Sequence, residues 1–143
     1  MRLVLPALLA LLPVATPAAA QSSATEARTP VYELRIYTPA PGKGDALNAR
    51  FRNHTLKLFE KHGMRNIAYW NEQQTPEAPD GRVVYVLSYP SRAARDADWK
   101  AFGEDPEWRK VVAESEAAGK LVLKVDSIFM TMTDYSPPLP PQR

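Results

Sequence analysis

Two polar side chains with catalytic potential, His54 and Thr55, fall within the apolar stripe of a predicted helix. Residues 44–63 follow the ~3.6-residue repeat of an amphipathic α-helix. Leu47 and Leu58 mark its apolar side, and His54 and Thr55 lie between them on that side. An imidazole can act as a general acid or base near neutral pH, so the stripe predicts a site where this helix packs on the core.

Four further side chains are candidates for binding a ligand beside His54 and Thr55, in a space between helix and sheet. They are aromatic or basic: Tyr32, Trp70, Arg95 and Trp99. Aromatic walls suit an apolar or aromatic small molecule. Each candidate also has a structural interpretation: a histidine hydrogen-bonded in the core, tryptophans that are ordinary core residues, and an Arg95 paired with a carboxylate such as Glu33 or Asp96.

The elements that would position these residues follow a regular order. In residues 31–38 an apolar set alternates with a more polar one, which predicts a strand with one buried face; the sets are Tyr32, Leu34 and Ile36, and Glu33, Arg35 and Tyr37. Further strands are predicted at 64–74, 82–89 and 121–132, and further helices at 92–102 and 105–119, with Ser91 and Asp105 as N-caps. This order predicts the α+β class, a ferredoxin-like βαββαβ unit with an antiparallel sheet covered on one face by helices.

The face of the sheet away from the helices is predicted to be too apolar to lie open to water. Its apolar candidates are Val84, Val86, Ile128, Met130 and Met132. A second copy would cover them, so we expect a homodimer through the sheet face. Glu33, Arg35, Lys124 and Asp126 are predicted to share one face of neighbouring strands, as an ion-pair network at the dimer seam or as the polar floor of a pocket.

The ends of the chain are predicted to lie outside the folded domain. Residues 1–20 have the basic start, apolar stretch and small final residues of a secretory signal peptide, with cleavage expected after Ala20. The mature protein is then periplasmic or secreted; an uncleaved anchor is the alternative. Residues 21–30 are a predicted flexible linker, residues 31–135 the domain, and residues 136–143 a proline-rich tail.

Composition and motifs argue against several classes of function. The chain has 18 basic and 16 acidic side chains, a balance that argues against a nucleic-acid partner and, after signal cleavage, against a membrane surface. It has no cysteine and two histidines, which argues against thiol chemistry and against a metal site. The sequence has no phosphate-binding loop, dinucleotide fingerprint or nucleophile elbow, and no cofactor is expected.

Three separated motifs resemble those of the NIPSNAP family. They are residues 32–38 followed by Pro41-Gly42-Lys43, the Tyr69-Trp70 pair, and residues 91–96 with residues 105–108. The resemblance spans residues 31–135 and implies a dimeric α/β barrel of ferredoxin-like subunits. Bacterial members mostly have no assigned activity, and the mitochondrial members lack the signal peptide predicted here. The wider superfamily includes cofactor-independent monooxygenases, isomerases and haem-handling enzymes, an analogy at the level of the fold.

Two functional hypotheses follow from these observations. In the first, an exported dimeric barrel binds a small apolar or aromatic molecule between helices and sheet. Cofactor-independent chemistry of the monooxygenase or isomerase kind would then use His54 as the acid or base. In the second, the chain is a non-catalytic protein-interaction module. The sequence leaves open whether the protein is an enzyme.

Overall fold

Four extended segments pair into one antiparallel sheet with the strand order β2-β3-β1-β4. The computed structural model describes residues 30–139. In chain order the elements are β1 (Val31–Pro39), α1 (Gly44–Arg50), a π-helical turn (Phe51–Thr55), α2 (Leu56–Lys61), β2 (Arg65–Asn71), β3 (Val83–Tyr89), α3 (Arg92–Glu104), α4 (Pro106–Ser115) and β4 (Val122–Met130). This is the ferredoxin-like α+β architecture, and the predicted fold class is confirmed. The predicted signal peptide, the linker up to residue 29 and residues 140–143 lie outside the described residues.

Both predicted helix caps are confirmed. The Ser91 hydroxyl accepts a hydrogen bond from the backbone N–H of Ala94 at the start of α3. At the start of α4, Asp105 accepts from the backbone N–H of Glu107 at 2.8 Å. The other carboxylate oxygen of Asp105 lies 2.6 Å from His62 Nε2 and 2.8 Å from Lys61 Nζ. Asp105 therefore both caps α4 and ties it to the end of α2.

The long helix is interrupted by a single π-helical turn, which changes the side it presents to the core. The Leu56 N–H bonds to the Phe51 carbonyl, and the Thr55 hydroxyl donates to the Arg50 carbonyl at 3.2 Å. The backbone bond from Leu56 reaches five residues back instead of four, which widens the turn. As a result Thr55 is 2% exposed, whereas His54 is exposed. The prediction that His54 faces the core is wrong for this reason.

The face of β1 that packs against the helices is the one bearing Glu33, Arg35 and Tyr37. Glu33 is fully buried and bonds to Arg95 of α3, and the Tyr37 ring lies 5.6 Å from that of Phe51. The apolar set of β1 therefore lies on the opposite side, and assigning burial by apolar character would choose the wrong face. Aromatic packing and ion pairing together fill the helix side.

The opposite face, here called the open face, carries the apolar rows that were predicted for it. In the strand register Leu34 lies between Val86 and Ile128, and Ile36 lies between Val84 and Asp126. Lys124 and Asp126 are on this face too, and pair with each other at 2.8 Å. The predicted network of these two residues with Glu33 and Arg35 is wrong, because the pairing register places the two pairs on opposite faces of the sheet.

Candidate functional site

A cavity of about 1010 Å³ lies at the β2 side of the open face. Residues 131–139, here called the C-terminal tail, follow β4 and form one of its walls. Most of the side chains that line the cavity are apolar or aromatic; they include Tyr32, Leu56, Ile67, Ala68, Trp70, Val86, Met130, Met132 and Leu139. Trp70 is 53% exposed, so its indole forms a wall that solvent can reach. The volume and the lining suit a small organic molecule.

The pairing register orders the cavity from one end to the other. Arg65 pairs with Ser88, which pairs with Tyr32, which pairs with Met130, and this row crosses the end of the sheet nearest the tail. The next row on the open face holds Ala68, Val86 and Leu34, and Trp70 begins the row after that. Along the open face, the row nearest the tail contributes Arg65 and Tyr32 to the lining, and the rows beyond it contribute the apolar Ala68, Val86 and Trp70. Glu60, Asn66 and Tyr69 line the cavity from the helix side.

A buried carboxylate, Glu33, lies on the other side of the sheet. Arg95 donates to both of its oxygens, at 2.9 and 2.8 Å, and Arg35 donates at 2.6 Å. The hydroxyls of Tyr89 and Ser127 also donate hydrogen bonds to the Glu33 carboxylate, at 3.0 and 2.7 Å. Burial alone would raise the pKa of Glu33, but the bonds from Arg95, Ser127 and Arg35 outweigh it and lower the pKa to about 2. Glu33 is therefore an ionised anchor for α3 and a poor proton carrier at neutral pH.

Trp99 belongs to the cluster around Glu33. Its indole N–H donates to the Tyr89 hydroxyl at 2.7 Å, and the Arg35 guanidinium lies 4.1 Å from the centre of its ring. Burial raises the pKa of Tyr89, and the adjacent Glu33 charge raises it further, so this phenol stays protonated. The hydrogen bond to Tyr89 and the cation–π contact with Arg35 thus fix the position of the Trp99 ring.

His54 lies in a separate groove of about 330 Å³ between α1 and α4. The groove is also lined by Arg50 and Ser115. Arg50 is buried, donates to Glu116 at 2.8 Å, and has an Nε atom without a hydrogen-bond partner among the described residues. None of the residues that line the His54 groove lines the open-face cavity.

The structure places the predicted site residues in separate locations. Tyr32 and Trp70 line the open-face cavity, Arg95 and Trp99 join the Glu33 cluster, and Thr55 is bonded within its helix. The lining contributed by Arg65, Met130 and the tail was not predicted from the sequence. Met132 and Leu139, the apolar side chains with which the C-terminal tail lines the cavity, were the available signal, since a purely disordered tail has little need of them.

Within residues 30–139, no helix combines the length and the apolar character needed to cross a membrane. Those residues also contain no cluster of three or more histidine, cysteine or acidic side chains that could hold a metal ion.

Comparison with known proteins gives one family and several structural neighbours. The sequence profile of the NIPSNAP family matches residues 32–137. No curated protein matches the chain. An uncharacterized NIPSNAP-like domain protein from Burkholderia xenovorans is 22% identical, with 80% of this chain and 94% of that chain covered and a TM-score of 0.66.

Two further solved structures are similar to this chain. A second NIPSNAP domain protein from Burkholderia xenovorans is 18% identical, with 76% of this chain and 99% of that chain covered and a TM-score of 0.61. A NIPSNAP family protein of unknown function from Agrobacterium tumefaciens is 17% identical, with 77% and 94% covered and a TM-score of 0.64. At these identities the similarity shows a shared fold.

Proposed function

The chain belongs to the NIPSNAP family, and from this starting point we propose that it binds a small apolar or aromatic molecule in the open-face cavity. One observation carries the proposal: a cavity of about 1010 Å³ with an apolar lining on a domain of this size. Cavities of ~300–1,000 Å³ with mostly apolar walls and a few polar groups are typical ligand sites. Trp70 and Tyr32 supply the flat surfaces against which an aromatic ring can pack.

The location differs from the space between helices and sheet that the sequence suggested. That layer is filled by aromatic rings in contact. Phe59 lies 6.0 Å from Tyr85, 5.0 Å from Phe102 and 5.4 Å from Trp99, measured between ring centres. A ligand there would have to displace this packed core. The open-face cavity requires no such displacement.

The lining of the cavity supports binding rather than proton-transfer catalysis. Its titratable side chains are Tyr32, Glu60, Arg65 and Tyr69. Burial raises the pKa of Tyr69, with a further contribution from the Glu60 charge, so that phenol stays protonated at neutral pH. Tyr69 also donates its hydroxyl proton to Asn66 at 2.5 Å. His54 lies in the other groove, away from any molecule bound in this cavity.

The test uses N-phenyl-1-naphthylamine, a neutral aromatic probe whose fluorescence rises in apolar surroundings. We expect the wild-type chain to bind it and Trp70→Ala to weaken binding about fivefold, since an aromatic pair contributes ~0.5–1.5 kcal/mol beyond its buried area. Tyr135→Ala is the matched control, because Tyr135 is 84% exposed and does not line the cavity. Absence of binding to the wild type, or equal binding by Trp70→Ala, would overturn the proposal.

A second copy of the chain is the proposed partner of the open face. Ile128 is 50% exposed on the edge strand β4, at the end of a row that continues through Leu34 and Val86. A face of this kind is normally covered in a soluble protein. Sedimentation equilibrium should give a dimer that Ile128→Glu dissociates and Ala113→Glu, on the exposed surface of α4, leaves intact. A wild-type monomer at micromolar concentration would contradict the dimer.

Export is proposed from the sequence of residues 1–20. The expected result is a mature chain that begins at Gln21, detected by intact mass measurement of protein recovered from the periplasm or the medium. A chain that retains Met1 and stays in the cytoplasm would contradict export.

A further inference from the structure

We infer that the ligand of the open-face cavity is an amphipathic monocarboxylate, with its apolar body on Val86 and Trp70 and its carboxylate at Arg65. This inference rests on the proposed function and adds the chemical class of the ligand. It follows from the separation of polar and apolar groups along the cavity.

The polar end of the cavity is formed by Arg65 together with the start of the tail. Arg65 belongs to the strand row that ends at Met130, and the residues after Met130 include Thr131 and Thr133, which also line the cavity. Arg65 is on β2 and Met130 on β4, at opposite edges of the sheet, so the carboxylate is assigned to Arg65 itself, whose guanidinium offers paired N–H donors that suit its two oxygens. Ser136 also lines the cavity, and its hydroxyl donates to the Pro137 carbonyl at 3.1 Å.

The Arg65 guanidinium is available to a ligand. It is exposed, and no acidic side chain among residues 30–139 lies within 4.0 Å of it. By contrast, Arg35 and Arg95 at the Glu33 cluster are committed to carboxylates of the protein. An exposed cation beside an apolar surface favours a molecule that carries one negative charge on an apolar frame.

The acidic group in the lining, Glu60, lies on the other side of β2. Its carboxylate accepts a hydrogen bond at 3.0 Å from Asn66 Nδ2, and Asn66 pairs with Leu87 of the buried face. Arg65 pairs with Ser88, and adjacent residues in a strand point to opposite faces. Glu60 therefore borders the helix side of the cavity, and Arg65 determines the charge at its open-face end.

The experiment compares two compounds of matched shape, 2-naphthoate and 2-naphthylmethanol, by isothermal titration calorimetry at low ionic strength. We expect the wild-type chain to bind the carboxylate about fivefold more tightly than the alcohol. Arg65→Gln should abolish this preference, because it should weaken binding of the carboxylate more than binding of the alcohol. Lys100→Gln, which removes an exposed charge on α3, is the matched control and should retain the preference. Added salt should reduce the preference in the wild type.

The outcomes separate the ligand class from the proposed function. A preference lost in Arg65→Gln and kept in Lys100→Gln supports the inference. Equal binding of both compounds by the wild type, or a preference that persists in Arg65→Gln, overturns the inference and leaves the apolar site in place. If neither compound binds and the neutral probe also fails to bind, the proposed function fails together with the inference.

Discussion

Replacement of Glu33 by glutamine removes the negative charge at the centre of the buried cluster while keeping the shape of the side chain. The guanidinium groups of Arg35 and Arg95 would then face a neutral amide in place of a carboxylate. Loss of one partner of a buried ion pair is costly because the remaining charge is left desolvated, typically by ~3–5 kcal/mol. The folded domain should therefore lose stability although its core volume is unchanged.

The pKa of Glu33 gives an independent magnitude. It falls from an ordinary value of 4.5 to about 2 in the folded chain. At ~1.36 kcal/mol for each pH unit of difference, ionised Glu33 contributes about 3 kcal/mol to the free energy of unfolding. Because the folded-state pKa is the lower one, this contribution is complete above pH ~5 and is lost as the pH falls toward 2.

The assay is urea denaturation of the wild type and Glu33→Gln, followed by circular dichroism from pH 7 to pH 3. We expect a difference of about 3 kcal/mol at pH 7 that narrows steadily below pH 5. Glu72→Gln is the control: the side chains of Arg82 and Glu72 are 43% and 35% exposed, so water screens the pair and the loss of stability should be smaller than for Glu33→Gln. A difference below ~1 kcal/mol at pH 7, or one that does not change with pH, would refute the assigned role of Glu33.

Three further predictions concern the backbone, the helix cap and the tail. Gly81→Ala should lower the melting temperature, because Gly81 has φ +63° and an added Cβ would lie 2.6 Å from a backbone carbonyl oxygen. Gly103→Ala is the contrast: an added Cβ meets open space there, and the better helix former should stabilise α3 by ~0.5–1 kcal/mol. Asp105→Asn keeps the cap and loses the ion pairs to α2, so thermal melting should rank wild type above Asp105→Asn and that variant above Asp105→Ala. Bonds to Lys61 and His62 lower the pKa of Asp105. The difference in melting temperature between the wild type and Asp105→Asn should therefore close as the pH falls. Truncation after Met130 removes one cavity wall and should weaken binding of the naphthylamine probe, measured by fluorescence titration.

The order and type of the elements could be predicted because they depend on local patterns. Turn residues, alternation and the caps Ser91 and Asp105 are readable from short stretches, and they agree with the structure in the order and type of the elements. The predicted ends were too late for β2, α4 and β4, which end at Asn71, Ser115 and Met130. The apolar open face was also predictable, because the pattern of Val84, Val86 and Ile128 persists in the paired strands. Family membership, which the three motifs indicated, is confirmed by the match over residues 32–137.

The arrangement of the candidate site could not be predicted because it depends on contacts between distant segments. Nothing local shows that Glu33 is buried: its partners Tyr89, Arg95 and Ser127 lie 56, 62 and 94 residues further along the chain. The wall formed by the tail likewise depends on where the chain runs after β4. His54 was misplaced for a different reason, since a helical wheel with a constant repeat cannot represent a π turn.

That π turn also has a consequence for the evolution of chain length in this helix. A π turn holds one residue more than the α-helical turn it replaces, so it can be regarded as a single-residue insertion accommodated without breaking the helix. Deletion of Arg52 or Asn53, both exposed, would convert residues 44–61 to a continuous α-helix in which Thr55 and Phe59 still face the core. We therefore expect this segment to tolerate the loss of one residue, whereas the same deletion in the buried strand β3 would shift its register.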